Sequence, residues 1–161
     1  MGRVTRPPHS STLVGWREWV SLPDLGVAWV KAKLDTGARS SSLHALDVTT
    51  FEQDGSPWVR FAVQPWQVSD GSLVATQVPV HDVRPIRSSS GHVEERIVIL
   101  TGIRILDRTI TAEVTLTNRD VMGFRMLIGR EALRQGFVVD SRRSYVSTRP
   151  SLATRRTNRG R

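Results

Sequence analysis

The sequence predicts an all-β domain, a closed or nearly closed barrel with one short helix near its C-terminal end. Three observations carry this expectation. Short runs rich in Val, Ile, Thr and Trp recur between turn residues along most of the chain. Ile110, Ala112, Val114 and Leu116 alternate with Thr111, Glu113, Thr115 and Thr117, the period of a half-buried strand. Only Arg130 to Gln135 reads as a helix, with Gly136 placed to cap its C-terminal end.

The elements follow in order. Leu13 to Val20 is aromatic and β-branched, and Pro23-Asp24-Leu25-Gly26 supplies a turn after it. Val27 to Leu34 alternates, with Val30, Ala32 and Leu34 on one face and Lys31 and Lys33 on the other. Trp58 to Val63 is a further strand, and Leu73 to Val83 is an edge strand because Pro79 interrupts it. Ile97 to Leu100 and Ile103 to Leu106 are expected to flank a turn at Thr101-Gly102. The five tryptophans all fall in or beside such runs, which favours core or interface packing over base stacking.

The chain of 161 residues suits one domain with its own core. Residues 1–11 read as a flexible leader, 12–148 as the folded domain and 149–161 as a disordered basic tail. The net charge of +8 is concentrated at the ends. Seven arginines lie in residues 141–161 and two in residues 1–10, so 23 − 9 leaves 14 basic groups against 15 acids between them. Nucleic acid is thus a weak expectation, resting on the tail alone. Cysteine is absent, which excludes thiol nucleophiles and thiolate metal sites. No apolar run is long enough to cross a bilayer, and the leader lacks a signal-peptide core, so the expected location is cytoplasmic with no membrane partner.

Chemistry is concentrated in Ala32-Lys33-Leu34-Asp35-Thr36-Gly37-Ala38, where a carboxylate ends an apolar strand and small residues follow. Gly37 permits positive φ and close backbone approach. The triplet alone is an ordinary turn sequence. Later, Phe124 to Asp140 reads as apolar strand, Gly-Arg break, short helix, glycine and apolar strand, by itself a bland connector.

Together, and in this order, the two segments resemble the retropepsin-like aspartic proteases. That family pairs a hydrophobic-hydrophobic-Asp-Thr-Gly-Ala motif with a later hydrophobic-Ile-Gly-Arg segment, matched here by Leu34 to Ala38 and Leu127 to Arg130. Val14 to Val20, Lys31 to Ala45 and Ser88 to Arg96 extend the resemblance to a bacterial branch labelled ATP-dependent zinc proteases. That branch is associated with ligases that add glutamates to ribosomal protein S6. The resemblance implies a closed retropepsin-like barrel, an aspartic endopeptidase, and Asp35, Thr36 and Gly37 as its catalytic loop. With a single Asp-Thr-Gly, it further implies a homodimer whose two Asp35 carboxylates share one proton and activate a water.

Ala38, Arg39, Arg87, Ser88, Ser89, Ser90, Gly91, His92 and Glu94 are the expected substrate and flap residues. The polar, glycine-containing stretch from Arg87 to His92 would be the lid. Arg39, Arg87 and Arg96 suggest a leaning toward acidic, glutamate-rich peptides. No cofactor and no metal are expected. His9, His44, His81 and His92 are scattered, His92 with Glu95 is only a two-ligand fragment, and no phosphate-binding glycine loop exists. A second reading stays open from the residues: a non-catalytic module of the same fold, carried to ribosome, RNA or acidic protein by its arginine tail.

Overall fold

The computed structural model describes residues 11–66, 73–87, 90–118, 123–146 and 150–157, with side chains in the last stretch described through Thr154. In chain order the strands are β1 (Thr12–Gly15), β2 (Arg17–Leu22), β3 (Val27–Asp35), β4 (Ser41–His44), β5 (Leu46–Gln53) and β6 (Ser56–Val63). Then come β7 (Val74–Pro79), β8 (Asp82–Arg87), β9 (Val93–Ile105), β10 (Arg108–Thr117), β11 (Met126–Gly129) and β12 (Phe137–Asp140). Two short helices, α1 (Arg130–Leu133) and α2 (Leu152–Thr157), complete the described elements with a 3-10 turn at Pro23–Leu25. The protein is mostly β, as expected, and none of the described helices is long and apolar enough to cross a membrane.

The main sheet has the order β10-β4-β11-β3-β2-β9-β8, and β9 also pairs with β10. The ladder thus leads back to its first strand, although β2 meets β9 through the single pair Ser21 and Arg104. A three-stranded sheet, β5-β6-β7, and a parallel pair, β1-β12, stand beside it. Inward side chains from the main sheet, among them Val30, Leu34, Ile103, Val114 and Ile128, form one core with Val59, Phe61 and Val63 of β6. Each such aliphatic side chain contributes about 1.5–3 kcal/mol on burial.

The alternation expected in β10 holds in its first half: Ile110, Ala112, Val114 and Leu116 are buried and Thr111 and Glu113 exposed. Thr115, expected outward, is instead buried and Thr117 half-buried where β10 pairs with β4. Helix α1 begins at Arg130 as expected, and Gly136 ends the turn after it at φ 146° with its amide donating to the Leu133 carbonyl. The run expected as one edge strand from Leu73 to Val83 is divided: β7 ends at Pro79 as an edge of the three-stranded sheet, and Asp82 and Val83 begin β8 in the main sheet. The run from Leu13 is divided at Trp16, so that β1 and β2 enter different sheets.

Two further expectations are corrected, and two strands were not anticipated. Strand β9 runs straight through Thr101-Gly102, both buried, and the turn comes at Leu106-Asp107, where Leu106 has φ 57°. Gly102 serves close approach: its amide donates to Asp24 Oδ2 over 3.0 Å, and a Cβ there would lie 3.0 Å from that same oxygen. The single helix becomes two, because α2 lies in the tail expected to be disordered. Strands β4 and β5, too polar to stand out in sequence, are held by their ladders to β10, β11 and β6.

Candidate functional site

Strand β3 buries Val30, Ala32 and Leu34 and leaves Lys31, Lys33 and Asp35 half-buried on its other face. Asp35 is its last residue, so the strand itself delivers the carboxylate to the loop that follows. The Gly37 amide donates to Asp35 Oδ1 over 2.9 Å, and the Ala38 amide closes the turn on the Asp35 carbonyl at 3.2 Å. Asp35 is half-buried, and its Oδ2 accepts no hydrogen bond from the described residues. Gly37 is outside the positive-φ glycines, so its use is spatial: a Cβ would stand 3.2 Å from Asp35 Oδ1.

The loop is braced from beneath. Gly129 lies opposite Asp35 in the parallel β3–β11 ladder, and its amide donates to the Ser41 hydroxyl over 3.0 Å. The next two amides, of Arg130 and Glu131, donate to the Ala38 and Arg39 carbonyls at 2.7 and 3.1 Å. The Arg130 guanidinium reaches the Thr36 carbonyl at 3.3 Å. The two segments singled out in sequence are therefore one structure, with the Gly-Arg break pinning the Asp-Thr-Gly loop. Thr36 and Gly37 themselves are exposed, and the Thr36 hydroxyl has no partner among the described residues.

The remaining expected residues are less tightly grouped. Ala38 is half-buried in the loop, while Arg39 is exposed and pairs with Glu131 at 3.5 Å. Strands β8 and β9 form a hairpin closing at the pair Arg87 and Val93, so the expected lid is a hairpin tip. Ser90, Gly91 and His92 are exposed there, with Gly91 at φ 82°; Ser88 and Ser89 lie outside the described residues. Glu94 is paired with Arg96 at 2.7 Å, and Arg96 also donates to the Thr117 hydroxyl. Asp54-Gly55, the other described Asp-Gly pair, is the β5–β6 turn, with both residues at positive φ.

A cavity of about 570 Å³ opens behind the loop, lined by Arg39, Ser40, Arg84, Glu113, Glu131 and Gln135 among others, but Asp35 takes no part in it. Its charges are matched internally: Arg84 binds Glu113 and Asp82, each at 2.7 Å, and His81 meets Glu113 at 3.0 Å. The Arg84 hydrogen bonds hold the Glu113 and Asp82 carboxyls below their ordinary range. No group of three His, Asp or Glu side chains among the described residues could share a metal ion.

Two features escaped the sequence. Glu18 is completely buried and accepts the Gly15 and Val146 amides at 2.7 and 3.0 Å, fastening the chain after β12 across β1 and β2. The face that Lys31 and Lys33 share with Asp35 was legible in the alternation of β3, had Asp35 been counted in the same series.

Known proteins resemble this chain in sequence and in fold. The chain is 44% identical over 128 residues to a probable alpha-L-glutamate ligase of Desulfotalea psychrophila, covering 80% of this chain and 28% of that protein. It is 43% identical over 133 residues to a protein of the same name from Shewanella halifaxensis, covering 83% and 29%. The chain thus spans less than a third of these curated relatives. The crystal structure of Lpg0085, a Legionella pneumophila protein of unknown function (DUF785), superposes with a TM-score of 0.73 at 30% identity, covering 86% of this chain and all of that one. The family model described as retropepsin-like aspartic endopeptidase RimB matches residues 13–150, as the sequence resemblance implied, and the chain belongs to this RimB-like family.

Proposed function

We propose that the chain is an aspartic endopeptidase, a closed retropepsin-like barrel that works as a homodimer in the cytoplasm on acidic, glutamate-rich peptides. One observation carries the reading: Asp35 has one oxygen braced by the Gly37 amide and the other without a donor among the described residues, on a loop whose Thr36 and Gly37 are exposed. A second copy docked loop to loop would set two Asp35 carboxylates side by side. Two such groups in contact cannot both ionise, so the pair holds a single proton.

In that pair the ionised carboxylate takes a proton from water as the water oxygen bonds to the peptide carbonyl carbon. The protonated partner gives its proton to the carbonyl oxygen. Collapse of the tetrahedral intermediate breaks the C–N bond, and the nitrogen leaves with the proton first taken from water. One hydroxyl of the intermediate returns its proton to the second carboxylate as the C=O re-forms, and the pair again holds a single proton. The glutamate-rich substrate class is supported by the names of the relatives that this chain matches in part, which are called probable alpha-L-glutamate ligases. A cytoplasmic setting agrees with a chain that has no cysteine.

The test is Asp35→Asn assayed on glutamate-rich and neutral peptides beside the wild-type protein. Loss of cleavage by three or more orders of magnitude, with unchanged circular dichroism and unchanged particle mass, is the expected result. Retained cleavage would reject the mechanism. A wild-type protein that binds such peptides without cutting them would leave the module a binder.

A further inference from the structure

Both lysines of the chain stand on the face of β3 that carries Asp35. Register extends this face sideways. Lys33 lies between Arg17 on β2 and Leu127 on β11, one row from the Asp35 and Gly129 pair, and Lys31 lies opposite Trp19. Residues paired across neighbouring strands project from the same side of a sheet. Three cations, Arg17, Lys31 and Lys33, therefore occupy one patch beside the Asp35 carboxylate, although residues 11–140 carry no net positive charge.

Two of the three are set by aromatic rings. The Arg17 guanidinium lies 4.7 Å from the Trp16 ring centroid and 4.8 Å from that of Tyr145, and Lys31 Nζ lies 5.6 Å from that of Phe124. Neither Arg17 nor Lys33 has a carboxylate partner among the described residues, and Lys33 makes no hydrogen bond there. By contrast, Arg39 and Arg96 are engaged by Glu131 and Glu94. Two of the three cations suggested by sequence, Arg39 and Arg96, already have partners, whereas Lys33 has none among the described residues.

Residues two apart on a strand are separated by roughly 7 Å, so Lys33 lies one extended-peptide side-chain spacing from Asp35. Resting on the peptidase reading above, we propose that Lys33, backed by Arg17 and Lys31, forms the subsite for an acidic side chain next to the scissile bond. A carboxylate entering this patch gains a charge-assisted hydrogen bond from the ammonium of half-buried Lys33, which has no competing acid among the described residues. An uncharged isostere does not.

The experiment compares two peptides that differ only by Glu or Gln beside the bond that is cut. In the wild-type protein the Glu peptide has the higher kcat/KM. Lys33→Met lowers the Glu-over-Gln ratio about tenfold or more, Lys33→Glu inverts it, and Lys33→Arg keeps it. A ratio untouched by both Met and Glu overturns the proposal. If the wild type cuts neither peptide, the peptidase reading has failed and binding decides. Fluorescein-labelled hexaglutamate must then bind the wild type more tightly than hexaglutamine, with the difference lost in Lys33→Glu; equal binding overturns the subsite. A hexauridylate bound as tightly as hexaglutamate, and weakened equally by Lys33→Glu, would assign the face to nucleic acid and overturn it as well.

Discussion

Gly129 faces Asp35 across the β3–β11 ladder, and a Cβ on Gly129 would stand 2.5 Å from the Ser40 carbonyl oxygen. The obstacle is backbone, so it cannot swing aside. The same glycine donates its amide to Ser41, and the two amides after it hold the carbonyls of Ala38 and Arg39. Gly129→Ala should therefore destabilise the protein by about 1–3 kcal/mol and displace the Asp35 loop. Chemical denaturation measures the first effect, and loss of peptide cleavage in the fraction that remains folded measures the second.

Gly37→Ala is a milder insult at the same loop. Its Cβ would lie 3.2 Å from Asp35 Oδ1, on an exposed turn with ordinary φ. The variant should fold with a melting temperature close to wild type and lose most of its kcat, since the carboxylate must give way. A kcat within twofold of wild type would contradict the bracing assigned to this contact.

Glu18 is the buried clasp between β2 and the segment after β12. Glu18→Ala leaves the Gly15 and Val146 amides without their acceptor, at a cost of about 2 kcal/mol or more. Urea denaturation gives the loss. Glu18→Gln keeps one acceptor oxygen and should cost less, and hydrogen exchange of the Val146 amide should accelerate more in Ala than in Gln.

The cavity behind the loop offers a pH test. Arg84 depresses the Glu113 and Asp82 carboxyls from ordinary values of 4.5 and 3.8. A depressed folded-state pKa contributes stability that is present above the unfolded value and is lost as pH falls through the folded value. Arg84→Ala should raise both titrations toward their ordinary values, as read by NMR of the side-chain carboxyl carbons. Its stability deficit relative to wild type should be small, because the groups are exposed, and should vanish in acid below the folded-state values.

Much of the site was legible because it is local in sequence. Leu34 to Ala38 and Leu127 to Arg130 each declare a strand running into a small-residue break, and the ladder between Asp35 and Gly129 joins them. What failed was long-range. Thr101-Gly102 has turn chemistry, yet Asp24, distant in sequence, needs a glycine amide at close range, so the strand continues. Strand β5 exposes most of its residues and owes its conformation to pairing with β6, not to an apolar period. Arg39 and Arg96 looked available because their partners, Glu131 and Glu94, become partners only through side-chain placement. Lys33 gave the opposite lesson, since counting alternate residues back from Asp35 was enough to place it on the carboxylate's face.

The central claim is that two copies of Asp35 make one centre, and mixed dimers test it most directly. Wild-type and Asp35→Asn chains are unfolded together, refolded at a series of ratios and assayed for peptide cleavage at constant total protein. If each active unit needs an aspartate from both copies, activity falls as the square of the wild-type fraction. Activity that falls in direct proportion to that fraction would mean each chain works alone, and the account would be wrong.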